Sequence, residues 1–151
     1  MSISAVELDQ TIIAGFSVET TLENSAADVG ALYNDFIQNG KMELLHTITG
    51  NKTEYYAVLW YTEPHVRYRY LVGQKVKEEL DEKNIEIKIM AKGTYCRKQC
   101  APEDDAIKAW TEFYDKDIPE MGFKPKETDD IAFEYYPNGF DGEYELWSLV
   151  E

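Results

Sequence analysis

The sequence predicts an α+β fold, a single antiparallel sheet of about six to eight strands with two helices on one face. Three observations predict it. Runs rich in β-branched and aromatic residues recur along the chain, two segments carry an apolar stripe at helical spacing, and the signals follow the order β-α-β-β twice. The first unit covers roughly 9–76 and the second 85–151, so the chain reads as a tandem pseudo-repeat. Each unit alone would expose one sheet face, and two side by side bury it. With 151 residues, 44% of them hydrophobic, the chain has enough material for one core and is short for two, which predicts a single domain over 1–151.

The stretch "DQTIIAGFSVET" (9–20) reads as the first strand. "NSAADVGALYNDFIQNG" (24–40) follows as a helix, with Asn24 or Ser25 as cap, Asp28 near the positive end of the dipole and Gly40 as stop. Val29, Leu32, Tyr33, Phe36 and Ile37 define its predicted apolar face. "TEYYAVLWYT" (53–62) and "VRYRYLVGQKV" (66–76) form a hairpin over a Glu-Pro-His turn. "KEELDEKN" (77–84) is a charged, solvated connector. The second unit opens with strand material in "IEIKIMAKGTYCRKQC" (85–100) and continues with a helix in "PEDDAIKAWTEFYDKDI" (102–118), its expected buried face being Ile107, Trp110, Thr111 and Tyr114. The strands "IAFEYYP" (131–137) and "EYELWSLV" (143–150), joined by "NGFDG", close the chain.

Composition narrows the function classes. A formal charge of −14 repels phosphate backbones, and the basic residues form no stripe, so direct nucleic-acid binding is not expected. The same field concentrates cations in any cleft. His46 and His65 stand apart from each other and from any cysteine, so no metal set, cofactor ligand or Cys/His nucleophile is implied. Cys96 and Cys100 lie four apart in strand material, too far for a bridge, and read as reduced thiols. No apolar run approaches the ~18 residues of a membrane span, and no secretory leader pattern opens the chain. The expected location is the cytoplasm.

An ordered set of short motifs resembles the GyrI-like proteins and the effector-binding domains of AraC- and MerR-type multidrug regulators such as Rob and BmrR. The pieces are "YLVGQKV", "IMAKGTYCRKQC", "AWTEFYDKDIPEMGFKP", "FEYYPNG" and "YELWSLV", which follow one another over essentially the whole chain. Met90 stands where that family usually has proline, and Ser148–Leu149 where it often has Ile-Pro. The resemblance implies a curved antiparallel sheet with the helices on one face and a ligand cleft on the other. It also implies a small-molecule binding module rather than an enzyme, without a cofactor.

A carboxylate in the aromatic run "FEYYPNG" invites a partner charge. Alternation in 131–137 sets Ile131, Phe133 and Tyr135 on one face and Ala132, Glu134 and Tyr136 on the other. With the first set beneath the helices, Glu134 would enter the cleft, and the resemblance gives it the role of reading the charge of lipophilic cationic drugs. Trp147 and Tyr136 are the next candidates for the binding wall, followed by Phe16, Trp60, Tyr95 and Trp110, each ring contributing roughly 0.5–2 kcal/mol of cation–π attraction when well placed. Two other classes follow from the resemblance. One is a protein partner, DNA gyrase or a transcription regulator, met by the acidic surface. The other is hydrolysis of electrophilic cyclopropane-type compounds by Glu134 and Tyr136.

Overall fold

The computed structural model describes residues 3–151 and consists of one eight-stranded antiparallel sheet with three helices. The strands are β1 Ile3–Leu8, β2 Thr11–Thr21, β3 Tyr55–Glu63, β4 Arg67–Val76, β5 Glu86–Met90, β6 Gly93–Cys100, β7 Ala132–Tyr136 and β8 Tyr144–Leu149. The helices are α1 Ser25–Gln38, α2 Lys41–Thr49 and α3 Ala106–Glu112, the last running on through a π turn, Phe113–Asp117, into a final turn, Ile118–Glu120. No helix among the described residues is long and apolar enough to cross a membrane.

The strand order β1-β6-β8-β7-β3-β4-β2-β5 reads the same from either end when β1–β4 are exchanged with β5–β8. The pseudo-two-fold falls at the seam where β7 pairs β3. β1 pairs with β6 of the second half and β5 with β2 of the first, so the halves are laced through their leading strands.

Connector lengths make the sheet curl. β1 and β2 are six places apart, roughly 29 Å in a flat sheet, yet Asp9 and Gln10 alone join them and reach at most about 11 Å. Ala91 and Lys92 impose the same closure between β5 and β6. One core therefore lies inside the curl, built from all eight strands by Leu8, Ile13, Val58, Leu71, Met90, Tyr95, Phe133 and Leu149. On the outer face, α1 and α2 cover a core around Phe16, Phe36, Leu45 and Tyr70, and α3 covers another around Cys96, Phe113, Ile118 and Leu146.

Several expectations are adjusted by this packing. The β1 strand and α2 were not foreseen, and the strand material 85–100 divides in two at Ala91–Lys92. α2 carries Met42, Leu45 and Ile48 toward the core between Gly40 and Gly50, whose φ of 80° and 71° break the chain on either side. In α3 the buried stripe runs through Ala106, Ala109, Trp110, Phe113 and Tyr114; Trp110 and Tyr114 are on it as expected, whereas Ile107 and Thr111 are exposed. Ile37 of α1 is likewise exposed. The cysteines are free and buried in the core beneath α3.

Gly15 of β2 faces Gly73 of β4 across the sheet. A Cβ on either glycine would come within 2.1 Å of a backbone oxygen across the pair. Gly73→Ala should therefore lower the unfolding free energy by about 2–4 kcal/mol, since rigid backbone must move to admit one methyl. Urea denaturation measures this; a loss below about 0.5 kcal/mol would mean the strands part easily there.

Candidate functional site

Glu134 lies in β7 at the seam between the two outer cores, with Ala57 of β3 and Leu146 of β8 as its cross-strand neighbours. Those two belong to the cores under α2 and α3, so the carboxylate projects beneath the helices. This reverses the expected facing: Phe133 points into the curl and Glu134 away from it. The period of two was read correctly, but the inside of the curl is itself a core, so both faces of β7 are buried and the apolar set gave no guide to the helix side.

Glu134 is 5% exposed and makes no ion pair among the described residues. Three neutral donors hold it. Tyr70 and Tyr136 hydroxyls donate to Oε1 at 2.9 and 2.8 Å, and the Trp110 indole N–H donates to Oε2 at 2.7 Å. Tyr33 lies 2.7 Å from the Tyr70 hydroxyl. Because Tyr70 has one proton and gives it to the carboxylate, Tyr33 is the donor in that pair. Each half supplies part of the shell: Tyr33 from α1 and Tyr70 from β4, Trp110 from α3 and Tyr136 from β7.

Rings close the space around this network. Trp110 stacks on Tyr114 at 5.6 Å. Phe140, from the turn between β7 and β8, stacks on Tyr55 at 4.6 Å and meets Tyr33 and Tyr136 edge-on at 5.1 Å each. The charge is thus enclosed by aromatic surface. A hollow of about 260 Å³ lies elsewhere, at the start of α1, lined by Glu19, Asp28 and Arg67 among others.

Of the sequence-predicted residues, Glu134, Tyr136 and Trp110 come together. Phe16 lies in the core under α1, 6.1 Å from Phe36. Trp147, Trp60 and Tyr95 belong to the inner face, where Tyr95 is fully buried and donates to the Ala91 carbonyl at 2.7 Å. Tyr33, Tyr70 and Phe140 were missed. Tyr70 shares one face of β4 with Tyr68 and Val72, and Tyr33 lies on the α1 stripe, so their facing was legible. Their meeting at Glu134 depends on the pairing of β3 with β7, which no local pattern encodes.

The two paired halves of the sheet and the matching family model make the chain a GyrI-like effector-binding domain. The chain belongs to the Cass2 family of integron-associated effector binding proteins, whose model matches residues 4–148. No curated protein matches the sequence. Among solved structures, SAV2435 bound to tetraphenylphosphonium superposes with a TM-score of 0.79 at 14% identity, over 100% of this chain and 94% of the other. The Vibrio cholerae integron cassette protein VCH_CASS2 gives 0.75 at 17% identity, covering 99% and 95%. The EcmrR C-terminal domain gives 0.62 at 12%, covering 99% and 97%.

Burial first, and then the nearby Glu134 carboxylate, push the Tyr70 and Tyr136 hydroxyls well above their ordinary value of 10.0, and Tyr33 is raised for the same reasons. These groups stay protonated donors at neutral pH. A raised folded-state pKa contributes stability that is complete below the unfolded value and is lost as pH rises toward the folded one. Unfolding should therefore set in as the pH passes about 10, with these tyrosines ionising only as the fold opens. Absorbance at 295 nm followed together with near-ultraviolet circular dichroism checks this; full ionisation with tertiary signal intact would contradict the buried network.

Proposed function

We propose that this chain is a receptor for amphipathic cationic aromatic compounds, with Glu134 as the countercharge and Tyr33, Tyr70, Trp110 and Tyr136 as the walls. The observation that carries the reading is a carboxylate almost wholly removed from water with no cation paired to it among the described residues. Neutral donors offset part of the desolvation, and a monopole in their midst would offset more. The aromatic surround adds cation–π attraction and tolerates varied ring shapes, because stacking requires no single hydrogen-bond pattern. SAV2435, of the same fold, was solved with a lipophilic aromatic cation, tetraphenylphosphonium. Binding rather than catalysis also fits the hydroxyls, which are held protonated and are poor proton acceptors at neutral pH.

The direct test compares tetraphenylphosphonium with tetraphenylborate, which has nearly its shape and the opposite charge, by calorimetry in wild type and Glu134→Gln. The cation should bind wild type and the anion should not. Glu134→Gln should weaken the cation by about 100-fold or more, while the melting temperature without ligand stays equal or rises, because an unpaired buried charge has gone. Binding of both ions alike, or cation affinity untouched in Glu134→Gln, would refute the reading.

Trp110→Phe gives an independent check. The substitution keeps a ring but removes the donor to Oε2, so the empty protein should lose about 1–2 kcal/mol and the cation should bind a few-fold more tightly, since it no longer displaces that bond. Denaturation curves and the same calorimetric titration report both; weaker cation binding would mean that the indole N–H bond to Oε2 persists in the bound state and does not compete with the ligand.

A further inference from the structure

The chain holds two Asn-Gly pairs, Asn39–Gly40 between α1 and α2 and Asn138–Gly139 between β7 and β8. Asparagine amides are among the less durable groups of a protein, and a following glycine puts no side chain in the way of attack by its own backbone nitrogen. The fold treats the two pairs differently. The Asn39 side-chain amide donates to the Asp35 carboxylate, and its backbone N–H bonds to the Asp35 carbonyl at 3.1 Å. Its ψ of 23° is near helical, and the Gly40 carbonyl accepts from the Leu44 N–H at 3.0 Å as α2 begins. To carry the Gly40 nitrogen onto Asn39 Cγ, both helix ends must unwind.

Asn138 has no such hold. It is exposed, and no hydrogen bond engages its side-chain amide among the described residues. Gly139 has a φ of 89°, and beyond its chain neighbours no atom lies within 4 Å of the position a Cβ would take, so there is open space beside its backbone. The next residue is Phe140, which reaches from the second half to the first. It stacks on Tyr55 at 4.6 Å, lies 6.3 Å from Phe36, and meets the Tyr33 and Tyr136 rings beside Glu134. Its placement depends on a turn with little slack: Pro137 and Gly139 are bridged, and a Cβ on Gly142 would lie 3.4 Å from the Asn138 carbonyl oxygen.

We propose that Asn138 is a site of spontaneous deamidation, and that its conversion to isoaspartate releases Phe140 from the ring cluster over Glu134. The Gly139 nitrogen gives its proton to water and attacks Asn138 Cγ, so that a C–N bond closes a succinimide ring. The Cγ–Nδ2 bond breaks, and ammonia leaves with a proton returned by water. A second water then opens the ring, and nothing is oxidised or reduced. Opening beside Cγ leaves aspartate; opening beside the main-chain carbonyl leaves isoaspartate, whose chain runs through Cβ and Cγ and is longer by one methylene. Both products add a negative charge at the end of β7, but only isoaspartate lengthens the turn that holds Phe140. The amide is not regained, so the step is a one-way switch set by the age of the molecule.

The chemistry is tested by holding the folded protein at mildly alkaline pH, digesting samples over several days, and reading each Asn-Gly peptide by mass spectrometry and by labelling with an isoaspartate methyltransferase. Asn138 should convert at least about tenfold faster than Asn39 in the folded chain, and the two should convert alike in urea, where only the local dipeptide matters. An Asn138 that keeps its amide while folded, or equal conversion of both pairs in the folded chain, would overturn the site. Release of the ring is read by fluorine NMR of protein labelled with 4-fluorophenylalanine, the Phe140 signal being assigned with Phe140→Leu. In the purified isoaspartate form that signal should move to the position of a solvated ring. In Asn138→Asp, which carries the same charge on an unlengthened chain, it should stay. A Phe140 signal unmoved in the isoaspartate form, or moved equally in Asn138→Asp, would overturn the release. Neither measurement uses a ligand, so the proposal stands or falls apart from the cation-binding reading.

Discussion

The two halves of the sheet meet along one short ladder, β7 against β3, and a carboxylate without a partner charge stands on that ladder. Much of the outer face is arranged around this constraint. Ala57 is the residue opposite Glu134, so the neighbouring strand places no bulk beside the charge, and the nearest groups are hydroxyls and an indole from three different elements. A wholly apolar seam would be the more stable solution, because the hydrogen bonds to a buried ion rarely offset its full desolvation. Retaining the ion there is the kind of local conflict that marks function in an otherwise consistent fold.

A second buried charge shows the contrast. Lys98, on β6 beneath the α3 segment, is nearly inaccessible but is matched by Asp117 at 2.7 Å and Glu112 at 3.2 Å. Asp117 closes the π turn that follows α3 and reaches the lysine from there. Elsewhere the protein therefore supplies a partner for a buried charge. At Glu134 it supplies only dipoles, which a diffusing cation can outbid.

How far the sequence discloses this depends on the range of the interactions involved. Alternation and helical stripes disclose the α+β class, the hairpin over Pro64 and His65 and the two β-α-β-β units, because each is fixed by neighbours a few residues apart. Glu134 stands out as a charge among rings and Tyr136 as the ring that shares its face, whereas Trp110 comes last among the candidate rings, after Trp147. The facing of β7 was not legible, since a strand buried on both sides carries apolar residues on both sides. Nor was the parting of Trp147, Trp60 and Tyr95 from Glu134, which follows from curling forced by the two-residue links at Asp9–Gln10 and Ala91–Lys92. Closure of that kind is a property of strand order and emerges only once the long-range pairing is known.

The empty site being filled by its own rings bears on selectivity. Three of the roughly four lone-pair directions of Glu134 are already engaged, two on Oε1 by Tyr70 and Tyr136 and one on Oε2 by Trp110, and all lie under aromatic surface. Any ligand must part at least one of those contacts and move aromatic surface such as Trp110 or Phe140, so its net affinity is the difference between what it makes and what it breaks. A neutral aromatic restores the stacking but leaves the carboxylate with fewer donors than before. A cation restores stacking and replaces a dipole by a monopole in a medium of low polarity, where that exchange is worth most. On the proposed reading, discrimination for charge would arise from the cost of opening a site already at rest, and discrimination among cation shapes would stay weak because the rings that move are flat and adaptable.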